Sequence, residues 1–133
     1  YTLLNHIQSR KIVTIEDPIE VHYPFLTQIQ INPRQNLTFD TAIKQVLRHD
    51  PDILVIGEIR DETEAKAALR SALTGHLVLA TIHARSAFQT IDRLTNLGLD
   101  RQEILNTIVL IIHQELVDEP HGKKVHYVLY PQS

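Results

Sequence analysis

Apolar residues follow two alternating rhythms along this chain, compact runs of four or five and stripes spaced by three and four, which read as strands and helices in turn. Leu3, Leu4 and Ile7 read as the tail of an amphipathic helix already in progress. The β-branched run at 12–15 predicts a strand that ends in Glu16-Asp17-Pro18. Pro18 and Pro24 forbid helix through the next stretch, and residues 28–31 alternate polar and apolar as a half-exposed strand does. Phe39, Ala42, Ile43, Val46 and Leu47 share one helical face behind a capping Thr38, and that helix must stop before Pro51.

Residues 53–56 have the length and composition of a strand buried on both faces, and Glu58 stands just beyond its end. Ala65, Ala68, Leu69, Ala72 and Leu73 mark the next helix, with Asp61 as its N-cap, Glu64 three positions later and Gly75 just past its end. A further apolar strand at 77–81 leads to His83. Ser86 caps a helix that runs through Leu97 and closes at Gly98, and Asp100 with Glu103 caps another that begins at Arg101. The run 108–112 fits helix or strand. We read a break near Leu110, a strand to Val117, a turn at 120–122 and a last strand at 125–130. The alternation predicts an α/β fold, a mostly parallel sheet with helices on its faces, and no internal repeat interrupts it.

Composition narrows the function. A chain of 133 residues that is 43% hydrophobic suits one domain with a core. A formal charge of −3 provides no positive field to condense on phosphate backbones, so direct nucleic-acid binding is not expected. The absence of cysteine excludes disulfides and thiolate zinc sites and fits a reducing compartment. The apolar run at 108–112 is far too short to span a bilayer, and no signal peptide is visible, so a soluble, cytosolic chain is expected. It starts at Tyr1 and contains no Met, and it reads as a fragment.

Three predicted strands thus end in Glu16 and Asp17, in Glu58 and in His83. A parallel α/β sheet brings such ends to one edge, where ligands bind. Carboxylates and an imidazole gathered there suit two tasks: holding a hydrated Mg²⁺ beside a phosphate chain, and orienting a water for attack on a phosphoryl group. Asp52, one position before its strand, belongs to the turn and is not expected to ligate metal. His76 and His83, seven residues apart in extended chain, would lie roughly 20 Å apart and cannot share one metal ion.

The string IVTIEDPIE at 12–20 resembles the aspartate box of the motor ATPases of bacterial type II secretion, type IV pilus and competence systems. DPDILVIGEIRD at 50–61 resembles their Walker B region, and TGHLVLATIHARSA at 74–87 their histidine box, all in family order and spacing. The resemblance implies a RecA-like P-loop NTPase core, three-layered with a mostly parallel sheet and truncated at its N-terminus, over residues 1–133 as a single partial domain. In that family the glycine-rich Walker A loop directly precedes the equivalent of Tyr1, and the glycines at 57, 75, 98 and 122 cannot build it. The 133 residues are therefore expected to bind ATP weakly and not to hydrolyse it alone; saturable micromolar binding would contradict this.

By the same resemblance Glu58 is the general base or water orienter, and Glu16, Asp17 and Glu20 make Mg²⁺ and water contacts. Glu16, Asp17 and Glu58 are the implied metal set, acting through water, and Glu16 and His83 join Glu58 as catalytic residues. Asp17, Glu20, Arg34, Arg48, Arg60 and His76 are implied nucleotide contacts, with Arg60 ordering the acidic edge. His83, which follows its strand, is better placed for a γ-phosphate than His76, which precedes it. Arg70 and Arg93 read as surface ion-pair residues.

Two departures matter. Gln114-Glu115-Leu116 stands where the family has glutamine-arginine-leucine, and the zinc-binding cysteine pairs of many assembly ATPases are missing, with 118–124 in their place, so no zinc is expected. Ala84-Arg85-Ser86-Ala87 leans toward the competence group. The implied parent is a homo-hexameric ATPase that uses ATP and Mg²⁺, sits at the cytoplasmic face of the cell membrane, engages an inner-membrane platform protein and drives a pilus or pseudopilus for protein secretion or DNA uptake. The alternatives are a pilus retraction motor, another RecA-like ATPase such as a helicase or recombinase, which residues 14–20 argue against, and a scaffold module without a P-loop.

Overall fold

In the computed structural model, which describes residues 1–120 and 122–131, a four-stranded parallel sheet forms from β1 (Ile12–Glu16), β2 (Thr27–Gln30), β3 (Ile53–Ile56) and β4 (Leu77–Ala80) in the order β2-β1-β3-β4. The register pairs Ile12 with Ile53 and Ile15 with Ile56, so β1 and β3 end side by side. The two central strands, β1 and β3, are the most deeply buried. β1 is buried along its whole length, and Leu54 and Ile56 are fully enclosed. Burial of such side chains stabilises by about 1.5–3 kcal/mol each.

Alternation assigns the faces. Ile12 and Ile53 pack with Leu4 in one core cluster, joined by Ile7, Phe25, Leu26, Val55 and Leu79. The segment before β1 thus covers part of the sheet, although it forms a 3-10 turn at Leu4–His6 where a helix tail was expected. Helices α1 (Phe39–Leu47) and α2 (Glu62–Leu73) pack on each other, α1 on β1 and α2 on β4. Their caps are the expected ones: Thr38 accepts from the Thr41 N–H and Asp61 from the Glu64 N–H. The reciprocal half of the expected capping box differs, because Glu64 reaches past Asp61 to the Arg60 N–H at 2.6 Å. Gly75 has φ +99°, the left-handed conformation that ends α2.

The chain divides into two compact units, Tyr1–Ile82 and the residues from His83 on. In the second, α3 (Ala87–Asn96) starts at the Ser86 cap and packs on α4 (Arg101–Thr107), which starts at Asp100. Ala87, Ile91, Leu94, Leu99 and Ile104 are its buried apolar residues among those described. The ambiguous run is resolved as strand from Leu110: β5 (Leu110–Glu119) pairs antiparallel with β6 (Gly122–Pro131). β6 starts three residues earlier than expected because the ladder extends through Val117–Lys124 to the turn. His121, within the expected turn, lies outside the described residues.

Candidate active site

The end of β1 is polar on the face that carries the Tyr1 side. Thr14 and Glu16, two apart, share a face, and the parallel register sets Gln28 beside Thr14. The Glu16 carboxylate accepts hydrogen bonds from the Tyr1 and Thr14 hydroxyls and from Gln28 Nε2 at 3.0 Å. It is 5% exposed. Burial pushes its pKa up, but the donors Gln28, Thr14 and Tyr1, with His22 nearby, outweigh burial and hold it below the ordinary glutamate value. Tyr1 stacks on Tyr23 at 4.8 Å between ring centroids, and Tyr23 meets Phe25 at 5.6 Å. Burial first, then the hydrogen bond to Glu16, drive the Tyr1 hydroxyl far above the tyrosine range, so it remains a donor.

The loop after β3 is pinned to both neighbouring strands. Gly57 N–H donates to Ile15 O at 2.8 Å, Ile59 N–H donates to Thr81 O at 2.8 Å, and the Thr81 hydroxyl donates to Gly57 O. Glu58 is therefore held beside the end of β1. Arg60 Nε donates to Glu58 Oε2 at 2.8 Å, and its Nη1 and Nη2 reach Asp17 Oδ2 at 3.0 Å and Asp17 O at 2.9 Å. The hydrogen bond and charge of Glu58, then those of Asp17, strengthen protonation of the guanidinium. Glu64 shows the opposite balance to Glu16, with burial raising its pKa above the ordinary value despite the Arg60 N–H.

Glu16, Asp17, Glu20, Glu58 and Glu64 line one pocket of about 240 Å³ in the first unit, and Arg60 is the cationic side chain among them; Tyr1, Phe39 and Gly57 contribute to its wall. Hard carboxylate oxygens are the donor type that suits Mg²⁺. No three His, Asp or Glu side chains among the described residues stand close enough to bind one ion directly.

The other expected site residues do not line this pocket. His76 stands just before β4, its Nδ1 within 3.2 Å of Ser71 O and 3.3 Å of Thr74 Oγ1, and so braces the connection from α2. Arg48 is the C-cap of α1, and Arg34 lies in the 3-10 turn Pro33–Gln35 after β2. His83 is the first residue of the second unit. Arg70 and Arg93 occupy the last turns of α2 and α3, where a cation suits the helix dipole. Asp52 accepts the Lys11 N–H at 2.7 Å and pairs with Arg10, the turn role expected of it. Tyr1, Thr14, Gln28 and Glu64 were not foreseen. Spacing from Glu16 could have suggested Thr14, whereas Tyr1 and Gln28 are recruited by long-range packing and register.

The sequence model of type II/IV secretion system proteins matches residues 1–129. The chain belongs to this family. Among its curated relatives is the competence protein ComGA of Halalkalibacterium halodurans, 52% identical over 112 residues, which cover 84% of this chain and 32% of that protein. The type IV pilus assembly ATPase PilB of Pseudomonas aeruginosa is 40% identical over 132 residues, 96% of this chain and 23% of that protein. The chain thus spans about a third or less of these relatives. Solved structures in the same fold are the pilus retraction motor PilT with bound ADP (TM-score 0.86, 31% identity, 99% of this chain and 42% of that one) and the Legionella pneumophila ATPase DotB (TM-score 0.83, 29% identity, 99% and 42%). The expected α/β, RecA-like core is therefore the fold of this type II/IV secretion family member. No helix among the described residues is long and apolar enough to cross a membrane.

Proposed function

We propose that this chain is the acidic half of a motor ATPase active site and that a longer protein carrying it hydrolyses ATP to drive a pilus or pseudopilus. The observation that carries the reading is the pocket in which Glu16, Asp17, Glu20 and Glu58 meet beyond the ends of two adjacent parallel strands. Identity to ComGA and the wording at 84–87 favour a competence system for DNA uptake. The likeness to PilT supports a retraction motor as the second reading.

The residues divide the work by environment. Glu58, partly exposed at the pocket, orients the attacking water and takes up its proton as the water adds to the γ-phosphoryl group and ADP leaves. Glu16, fixed by three donors, stays ionised and holds the rim in place as a fixed negative charge. Asp17 and Glu58, with Glu16 behind them, would hold Mg²⁺ through its waters, and the ion when bound would neutralise phosphate charge. Glu20 lines the same rim, and Arg60 orients Glu58. His83 as phosphate sensor and Arg34, Arg48 and His76 as nucleotide contacts belong to the assembled hexamer, where closure of neighbouring subunits would bring them to ATP. That hexamer would act on a membrane platform protein at the cytoplasmic face, and residues 1–133 would form one partial domain of each subunit.

The test is Glu58→Gln in the full-length protein. Its kcat for ATP hydrolysis should fall by roughly 10²–10⁴ with nucleotide binding retained. An unchanged kcat would remove Glu58 from the mechanism and this pocket as the site of hydrolysis.

A further inference from the structure

Arg60 makes contacts that orienting Glu58 does not require. Its Nε binds Glu58, while both terminal nitrogens turn the other way, to the side chain and backbone carbonyl of Asp17 on the loop after β1. The guanidinium therefore lies between the two carboxylates that best suit a hydrated cation. Among the described residues it is also the one cationic side chain lining a pocket with carboxylates at 16, 17, 20, 58 and 64. We propose that Arg60 is the resident counter-cation of this pocket, and that a divalent ion entering between Asp17 and Glu58 replaces its charge and releases Glu58 from it. The inference rests on the functional reading above and assigns that site a loading step.

The physical argument is electrostatic. Without a cation, the acidic side chains of the rim repel one another, and Arg60 offsets that repulsion while joining two loops that share no covalent connection nearby. A dication and a guanidinium a few ångströms apart repel, so the two compete for the same carboxylates. Arg60 is about half exposed, which leaves it room to swing outward. Glu58 is then held by Arg60 in the empty site and turned to water in the loaded one, so hydrolysis waits for metal.

Mn²⁺ alone, with no nucleotide, is the probe for the full-length protein, its free concentration read by electron paramagnetic resonance. Arg60→Gln should bind Mn²⁺ roughly tenfold more tightly than wild type. Arg60→Lys, which keeps the charge, should stay near wild type, and adding Glu58→Gln to Arg60→Gln should remove the gain. Equal or weaker binding by Arg60→Gln, or equal gains in Arg60→Gln and Arg60→Lys, overturns the proposal. A measurement on the unmutated protein stands beside it: saturating Mg²⁺ should shift the Arg60 Nε–H resonance as its bond to Glu58 breaks, and an unmoved resonance also overturns it. The two readings fail separately. A fully active Glu58→Gln protein sinks the assignment of this pocket as the site of hydrolysis, whereas a Glu58→Gln defect without any Mn²⁺ gain in Arg60→Gln sinks only the counter-cation role.

Discussion

Glu16 ends β1 and Glu58 lies just beyond the neighbouring β3, yet the two meet opposite surroundings. Glu16 is buried and receives three hydrogen bonds, so it is geometrically fixed; Glu58 is partly exposed and shares its charge with Arg60. A residue that must swap partners during a reaction is better served by the second environment. Between them lies Gly57. A Cβ at that position would come within 3.3 Å of Ile15 O and 3.4 Å of Glu16 Cγ, and the strand backbone has little freedom to withdraw. Gly57→Ala should therefore destabilise the protein by about 1–2 kcal/mol in urea unfolding and displace Glu16. Unchanged stability would mean that the β1–β3 contact is looser than the register implies.

Among the elements, what was legible was local and what was hidden was long-range. Thr38, Asp61, Ser86 and Asp100 are all observed N-caps because a cap is a contract between residues two or three apart. Asp61→Ala should cost about 1 kcal/mol, and because α2 begins just after Arg60, amide exchange should rise first in residues 60–64. The gathering of Glu16, Asp17 and Glu58 was also readable, since parallel strands bring their carboxyl ends to one edge, whereas His83, expected there too, begins the second unit. Gln28 was read as part of a half-exposed strand, but nothing near it in sequence announces that register sets it beside Thr14, from where its side chain reaches Glu16. β4 has the apolar content of an inner strand and lies at the sheet's edge, with Leu77 about half exposed, because strand order is decided by partners far along the chain. Of the residues named for nucleotide by likeness, Asp17, Glu20 and Arg60 line the pocket and Arg34, Arg48 and His76 do not.

At the largest scale, Glu16 ties three stretches of the first unit together: the start of the chain through Tyr1, β1 through Thr14 and β2 through Gln28. Those bonds favour the carboxylate, so its pKa in the folded state lies below its unfolded value. The sign follows directly. The stabilisation is fully present above the unfolded value and is lost as pH falls from about 4.5 through the lower, folded value. Glu64 works in reverse: its raised pKa means that acidification favours the folded state, and that contribution is lost as pH rises through the raised value. Hydrogen bonds to the charged form outweigh burial at Glu16, so its protonation should lower the stability of the first unit. Amide exchange of β1 should therefore accelerate in the wild type as pH falls below about 4.5, beyond the intrinsic pH effect. Glu16→Gln should start less protected and show a much shallower acid limb, since its amide does not titrate. If both proteins lose protection in parallel, the three-donor arrangement around Glu16 does not hold the first unit together, and acid sensitivity arises from the exposed ion pairs instead.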